Sequence, residues 1–158
     1  MAARKYEKYI ITENIRTAPP PPGFVRRREE QKKLGNWTDE TDMFCLNSDL
    51  IPGAFYIDAH WMWEKHGTGG LQTEIAHAHD WNEVLLFIAG NRQNPRELNG
   101  EIEFWLEDEQ YIIHNSCIIY VPAGMSHLPL VFHRIDSPIL FITAGTSRSY
   151  TRSAGEDI

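Results

Sequence analysis

Four residues in two short segments have the chemistry and spacing of a metal-binding site. His77, His79 and Glu83 lie in the segment HAHDWNE, and His127 follows Glu83 by 44 residues in the segment PAGMSH. Imidazole nitrogens and carboxylate oxygens are donor atoms that divalent transition metals take in proteins. The four residues therefore predict a site for one ion, provided that the fold brings the two segments together.

Strand geometry gives the first three of these residues a common direction. Side chains alternate between faces along an extended chain, so His77 and His79 point the same way, about 7 Å apart. Glu83 keeps this parity if the strand continues through residues 80–82, and the apolar run EVLLFIAG that starts at Glu83 predicts a buried strand. We therefore expect the carboxylate on a strand rather than in a loop.

The two segments also resemble the two motifs of the cupin superfamily. The first reads His-x-His, three residues, Glu, six residues, Gly, and the second reads Pro-x-Gly-x-x-His. The resemblance covers about residues 70–145. It implies a small double-stranded β-helix, or jelly-roll barrel, in which His77, His79, Glu83 and His127 hold one divalent metal, and it implies a homodimer.

Three positions depart from the cupin pattern. The glycine that usually precedes the first histidine is offset by one position, at Gly70, while Ser116 and Val131 stand where a glycine and an asparagine are usual. None of the three is a predicted ligand. We expect these departures to affect turns and packing more than metal binding.

The donor set indicates the class of metal and the reactions open to it. Three imidazoles and one carboxylate suit iron(II), manganese, nickel, copper or zinc, and we take iron(II) as the first candidate. Four protein ligands on an ion that prefers six leave two positions where a small organic substrate and O₂ could bind side by side. We therefore predict an oxidoreductase of the dioxygenase type. A non-redox lyase or isomerase, and a small-molecule binding or sensor protein without turnover, are the open alternatives.

His60 is the candidate for a catalytic proton carrier. It lies in the aromatic segment FYIDAHWMWE, and an inward-facing imidazole could move a proton because it titrates near neutral pH. The alternative is a histidine that is hydrogen-bonded on the opposite face of the strand. Glu74 has the opposite parity to the two nearby histidines, so we expect it to face away from the site unless a bulge intervenes.

The remaining sequence predicts an all-β fold. Short runs rich in β-branched and aromatic residues, separated by Gly, Pro, Asn and Asp, continue from about residue 37 to 145. This pattern is typical of an antiparallel barrel or jelly roll, a class that includes cupins. Residues 91–99 show no strand period and predict a loop at the mouth of the barrel, and the glycine-rich residues 67–70 predict a turn.

We divide the chain into an N-terminal arm at 1–36, a cupin barrel at 37–148 and a C-terminal tail at 149–158. Four prolines at 19–22 predict an extended polyproline spacer within the arm. Residues 25–35 predict one short helix that stops at a glycine.

Composition favours a single cytoplasmic domain. The 158 residues, 42% of them hydrophobic, suffice for one well-buried core. Cys45 and Cys117 have no metal-type or redox-type spacing, which favours a reducing compartment. The N-terminus lacks the apolar segment of a secretory signal, and no run approaches membrane-spanning length. We therefore expect no membrane association.

Charge is unevenly distributed. The first 35 residues contain nine Lys+Arg and four Asp+Glu, whereas the remaining 123 contain six and eighteen. A basic arm could bind nucleic acid, but Glu29 and Glu30 interrupt the basic cluster and the acidic body would repel a phosphate backbone. We predict no nucleic-acid partner. We expect the arm to lie against acidic surface on its own barrel or on a neighbouring subunit.

Aromatic residues could line a dry pocket for an apolar or aromatic substrate, although most aromatic residues of a small barrel belong to its core. Trp105 shares a strand face with Glu101 and Glu103, so we expect it to point outward, toward the arm or a second subunit. The pocket candidates are Tyr56, Trp63, Phe87, Trp105, Tyr120 and Phe141.

Overall fold

The computed structural model describes residues 4–151, which form a short helical arm and two antiparallel β-sheets. A 3₁₀ turn, Glu7–Tyr9, and helix α1, Pro22–Lys33, precede the strands. The strands of the described chain are β1 (Trp37–Leu46), β2 (Tyr56–His66), β3 (Leu71–Glu74), β4 (Glu83–Ala89), β5 (Glu97–Leu106), β6 (Glu109–Asn115), β7 (Cys117–Val121), β8 (His127–Ile135) and β9 (Ile139–Gly145).

The strand order is that of a jelly roll. One sheet has the order β1-β2-β9-β4-β7 and the other the order β3-β8-β5-β6, with antiparallel pairing throughout. Strands far apart in sequence, such as β2 and β9, are therefore neighbours, as in the Greek-key connections of jelly rolls. The predicted all-β fold of jelly-roll type is confirmed.

The core lies between the inner faces of the two sheets. On β4, Leu85 and Phe87 are buried while Leu86 between them is only half-buried, as expected for a strand with one face inward. Phe87 stacks on Phe141 of β9 at a centroid distance of 4.8 Å, and Phe132 of β8 meets Phe87 edge-on at 6.3 Å. Phe132 thus connects the two sheets through aromatic contacts.

The predicted continuous strand through His77 and His79 is wrong. Strand β3 ends at Glu74, and residues 75–82 are a loop in which His77 forms one isolated bridge with His127. The loop takes its hydrogen-bond partners from other segments: the Gly124 N–H donates to the carbonyl of His79 at 2.7 Å. Those partners replace a strand ladder and hold the loop in an irregular path.

The predicted loop at 91–99 is shorter than expected and lies elsewhere. Strand β5 begins at Glu97, so only residues 90–96 connect β4 to β5. This connection follows Ala89, about 20 Å along β4 from Glu83. It therefore lies away from the four predicted ligands, which we call the metal-directed residues: His77, His79, Glu83 and His127. Ser116 fastens it, because its hydroxyl accepts from the Ala89 N–H at 2.9 Å and donates to the carbonyl of Pro95 at 2.8 Å.

The arm is less extended than predicted. Helix α1 starts at Pro22, which we assigned to the polyproline spacer. Proline is well suited to the first helical position, because its fixed φ matches the helix and its missing N–H would have no partner within the helix. The helix ends at Lys33, close to the predicted stop.

Ion pairs hold the arm against acidic side chains of its own barrel. Arg28 lies 2.7 Å from Glu40 of β1, and Arg27 lies 3.4 Å from Glu74 of β3. The arm therefore contacts acidic surface, as expected from the uneven charge. The division into arm, barrel and tail stays a prediction, as does the homodimer, and residues 152–158 of the tail lie outside the described residues.

Among residues 4–151, no helix is both long enough and apolar enough to cross a membrane.

We predict that Phe132→Ala destabilises the protein by about 3–5 kcal/mol, because it leaves a cavity between the two sheets. Denaturant unfolding monitored by circular dichroism measures the change. The control is Ile118→Ala, since the Ile118 side chain is 65% exposed and its truncation should change stability by about 0.5 kcal/mol or less. Equal effects of the two substitutions would show that Phe132 is not a core contact between the sheets.

Candidate metal centre

The structure brings the four predicted ligands together inside the barrel. His77, His79 and His127 are buried, and each offers a ring nitrogen within 4.8 Å of those of the other two. The carboxylate of Glu83 is also buried; its Oε2 lies 3.0 Å from His127 Nε2 and 3.4 Å from His79 Nε2. These residues come from a loop and from the first positions of β4 and β8.

Backbone carbonyls fix the orientation of all three imidazoles. The Nδ1 atom of His77 lies 2.7 Å from the Ile75 oxygen, and that of His127 lies 3.2 Å from the Met125 oxygen. The Nδ1 atom of His79 lies 2.5 Å from the oxygen of Thr151. Because a carbonyl oxygen can only accept a hydrogen bond, each Nδ1 must carry the proton. In the neutral rings, the three Nε2 atoms therefore present lone pairs, the arrangement typical of metal-ligating histidines.

The convergence of these lone pairs fits a cation. His77 Nε2 lies only 3.2 Å from His79 Nε2, so two electron-rich atoms face each other. His127 Nε2 is buried and has no hydrogen-bond partner among residues 4–151, although it lies close to the carboxylate of Glu83. Adjacent ligands bound at right angles to one ion at about 2.1 Å lie about 3.0 Å apart, close to the spacings found here. The donor set therefore fits a divalent transition metal.

The protonation equilibria also favour a cation in the cluster. Burial lowers the pKa of His77 to about 4, so this ring is neutral at neutral pH. For Glu83, burial would raise the pKa, but the hydrogen bonds that His127 and His79 donate from Nε2 when their rings are charged outweigh it and lower the pKa. A metal ion would take the place of these protons beside the carboxylate. At neutral pH the cluster thus combines a neutral imidazole with an ionised carboxylate.

Backbone pairing aligns the two segments. The His77 N–H donates to the His127 carbonyl at 3.1 Å, and the His127 N–H donates back to the His77 carbonyl at 3.0 Å. Between the end of β7 and His127, Gly124 adopts a φ of +83°, in the left-handed region that favours glycine. The Pro-x-Gly turn thus places His127 beside the histidine loop.

A tryptophan supports His79 from the side. The Trp81 ring stacks on His79 at a centroid distance of 4.1 Å and an interplanar angle of 20°. Trp81 lies directly on Gly145, where a Cβ atom would overlap its ring. The absence of a side chain at Gly145 therefore allows Trp81 to hold the imidazole.

The metal-directed residues border a cavity of about 520 Å³ between the sheets. His77 and Glu83 contribute to its wall, and Leu85, Phe132 and Phe141 contribute apolar surface. Residues 16–21 of the arm line it as well. A cavity of this size and lining can hold a small organic molecule.

His60 faces this cavity and is held by two carboxylates. Its Nδ1 lies 2.7 Å from Asp42 Oδ1 and its Nε2 lies 3.3 Å from Asp58 Oδ1. Arg16 of the arm joins the network at 3.0 Å from Asp58 and 3.2 Å from Asp42. Burial would lower the pKa of His60, but the hydrogen bonds to Asp42 and Asp58 raise it to about 9. His60 is therefore positively charged at neutral pH. Its assignment as a catalytic proton carrier stays a prediction.

Several predicted placements need correction. Glu74 was expected to face away unless a bulge intervened, and a register shift between Gln72 and Glu74 does turn it toward the cavity, where it pairs with Arg27. Of the aromatic pocket candidates, Tyr56 and Phe141 line the cavity. Phe87 belongs to the core, Trp63 and Tyr120 are exposed, and Trp105 donates to Glu103 on the outer face.

Sequence reasoning missed three contributors to the site. Thr151 supplies the carbonyl for His79, and its hydroxyl accepts from Trp81 Nε1 at 3.1 Å. The Tyr150 hydroxyl lies 3.2 Å from His77 Nε2. Neither residue lies in a segment with a strand period. Arg16 could have been suspected from the charge difference between arm and body.

Solved structures similar to this chain have low sequence identity to it. No protein-family profile and no curated protein sequence matches the chain. Similar solved structures include an oxalate oxidase in complex with the substrate analogue glycolate, with 11% identity over 89% of this chain and 59% of that one, at a TM-score of 0.46. A predicted oxalate decarboxylase from Thermotoga maritima has 12% identity over 71% of this chain and 84% of that one, at a TM-score of 0.47. A DMSP lyase structure has 13% identity over 66% of this chain and 45% of that one, at a TM-score of 0.39.

The chain thus spans 59% of the oxalate oxidase and 45% of the DMSP lyase chain. All three sequence identities are below 25% and all three TM-scores are below 0.5, so no property of this chain is inferred from these similarities.

We predict that Gly145→Ala weakens metal binding several-fold, because the added methyl group displaces Trp81 from His79. Titration with Co²⁺, followed by visible absorption, measures the affinity, and circular dichroism checks the fold. Ala144→Ser on the opposite face of β9 is the control and should bind like the wild type. Wild-type affinity in Gly145→Ala would show that Trp81 does not support the histidine.

We predict that the His60 network makes stability pH-dependent. The pKa of His60 is about 9 in the folded protein and about 6.5 in the unfolded chain. Its contribution, up to about 3 kcal/mol, is therefore fully present below pH 6.5 and is lost as the pH rises through 9. The charged groups that face His60 are Asp42 of β1, Asp58 of β2 and Arg16 of the arm.

Urea unfolding of the wild type and of His60→Gln between pH 6 and 10 tests this dependence. The stability difference between the two proteins should shrink over that range. A difference that stays constant would contradict the raised pKa.

Proposed function

We propose that the protein is a metal-dependent enzyme of cupin type, an oxidoreductase of the dioxygenase type that acts on a small organic substrate. One observation carries the proposal: three imidazole lone pairs, each fixed by a bond from Nδ1–H to a carbonyl, converge with the carboxylate of Glu83 beside a cavity of about 520 Å³. A purely structural metal site is usually closed by its protein ligands, whereas this one adjoins space for a substrate.

In this proposal His77, His79, Glu83 and His127 would hold one divalent ion, with iron(II) as the first candidate and manganese, nickel, copper and zinc as alternatives. When bound, the metal would supply redox or Lewis-acid chemistry at this point. The donor set leaves positions free on an ion that prefers six ligands. They would face the cavity, since His77 and Glu83 form part of its wall.

Other residues of the cavity have separate roles in the proposal. Leu85, Phe132 and Phe141 would hold an apolar part of the substrate and exclude water from it. His60 would move protons rather than bind the metal, because both of its ring nitrogens are occupied by carboxylates. Its raised pKa suits donation of a proton at neutral pH better than removal of one.

A non-redox lyase or isomerase is the second candidate. It is favoured by the groups that carry protons on the cavity wall: His60 and the hydroxyl groups of Tyr56 and Tyr150. Such groups could protonate a substrate whose carbonyl or carboxylate is polarised by the metal. The nature of the native metal separates the two candidates, because zinc has no redox chemistry.

We predict that His127→Ala lowers the bound metal at least ten-fold, because it removes one ligand. Elemental analysis of protein purified without added metal measures the content. His133→Ala is the matched control. This histidine lies on β8, as His127 does, but pairs with Glu103 of β5 at 2.8 Å, so its loss should leave the metal in place. Full metal content in His127→Ala would show that the ligand assignment is wrong.

Oxygen uptake by the wild type against a panel of catechols, thiols and keto acids then tests the reaction. We expect uptake with at least one class and none with His127→Ala. Zinc in the purified protein together with no uptake across the panel would contradict the dioxygenase and favour the second candidate.

A further inference from the structure

The five-stranded sheet has an apolar face on the side away from the cavity. Side chains alternate along its strands, and the inward set, which includes Met62, Leu85 and Phe141, lines the cavity. Between Ile57 and Trp63 of β2, and throughout β9, β4 and β7, no outward position carries a charged side chain. We call this surface the apolar face; its most exposed residues are Phe44, Trp63, Ile88, Ile118 and Tyr120.

The four-stranded sheet is different on its outward side. There Glu103 of β5 pairs with His133 of β8 at 2.8 Å, and Ile112 of β6 is the register partner of Glu103. A charged surface of this kind is stable in contact with water. A contiguous apolar surface of several strands is unusual on a monomer and marks a site of contact with a partner.

Two tryptophans of the apolar face are held in place by the protomer itself. The rings of Trp61 and Trp63 stack at a centroid distance of 5.1 Å and an interplanar angle of 16°. Trp63 Nε1 donates to the Thr41 hydroxyl at 2.9 Å, and Trp61 lies so close to Gly90 that a Cβ atom there would be 3.2 Å from its ring. Both rings are therefore ordered before a partner binds, which limits the entropy lost on contact.

The apolar face is as large as a stable interface requires. Its five most exposed residues leave between 37% and 65% of their surface uncovered, which amounts to roughly 500 Å² at about 150–250 Å² per large side chain. The half-buried residues among them, such as Leu86, Leu140 and Ile142, add roughly 300 Å² on the same basis. The total, about 800 Å² per protomer, is that of a standard-size interface between two proteins.

A second copy of the chain is the partner that fits this face. The chain has a net charge of −7, so two copies repel each other wherever their charged surfaces meet. At the apolar face they can meet with no charge opposed. Two sheet faces of this kind can pack on each other as the layers of a β-sandwich do, and a two-fold axis pairs one surface with its identical copy.

We propose that the apolar face is a homodimer interface, in which the five-stranded sheets of two protomers pack against each other across a two-fold axis. The inference does not depend on the proposed metal centre. Since Ile118 belongs to the apolar face, the unfolding comparison of Phe132→Ala with Ile118→Ala is made on protein dilute enough to be monomeric.

Sedimentation equilibrium of the full chain tests the interface at about 1–100 µM, because interfaces of this size bind in the micromolar range or more tightly. We expect the wild type to sediment as a dimer. Ile88→Lys should weaken the dimer about a hundred-fold or more, because each dimer would bury two unpaired ammonium groups. Trp63→Thr, which adds no charge, should weaken it about ten-fold or more by removing a large contact. Circular dichroism checks that both variants keep the native fold.

Ile112→Lys is the matched control. Ile112 is exposed to nearly the same extent as Ile88 but lies beside Glu103 on the other sheet, so the added lysine should leave the dimer unchanged. A wild type that stays monomeric up to about 100 µM would overturn the proposal, since an interface of this size should hold at that concentration. A dimer that resists both Ile88→Lys and Trp63→Thr, or one that Ile112→Lys disrupts, would overturn it as well. A monomeric wild type that binds vesicles of neutral phosphatidylcholine would show that the apolar face meets lipid instead of a second copy.

Discussion

The reciprocal hydrogen bonds between the backbones of His77 and His127 are the contact on which the site depends. They join a loop to the start of a strand, and so bring together two motifs that are far apart in sequence. Without this bridge, a cluster of imidazole lone pairs beside a carboxylate would separate, because such groups gain nothing from mutual contact in a buried place. The jelly roll supplies the frame, and the bridge fixes the loop to it.

The four metal-directed residues could be predicted from the sequence because their types and spacing are unusual, and the structure does bring them together. The argument from strand parity was nevertheless incomplete. It placed Glu83 correctly at the start of an inward-facing strand but treated residues 75–82 as extended, whereas their backbone groups pair with distant segments. Local periodicity cannot reveal such pairing, since it depends on which segments the fold makes neighbours.

Other residues of the site could not be predicted from the sequence for the same reason. Tyr150 follows the last strand in a short polar stretch, and nothing local distinguishes it from an exposed tail residue. The bulge that turns Glu74 inward is a matter of register between β3 and β8. By contrast, Asp58 and His60 share strand parity and could have been paired on that ground, and the basic composition of the arm indicated its contact with acidic side chains. Properties of composition and parity were thus predictable, whereas contacts set by topology were not.

The bond between His79 and the carbonyl of Thr151 has a consequence for how the site assembles. The ligands themselves are all present once His127 has been synthesised, but the group that orients His79 comes 24 residues later in the chain. A chain that reached only as far as β9 would have the Trp81 ring beside His79 but would lack the carbonyl that accepts from its Nδ1–H. The full set of contacts that orient the donors is therefore encoded by a longer stretch of chain than the donors themselves.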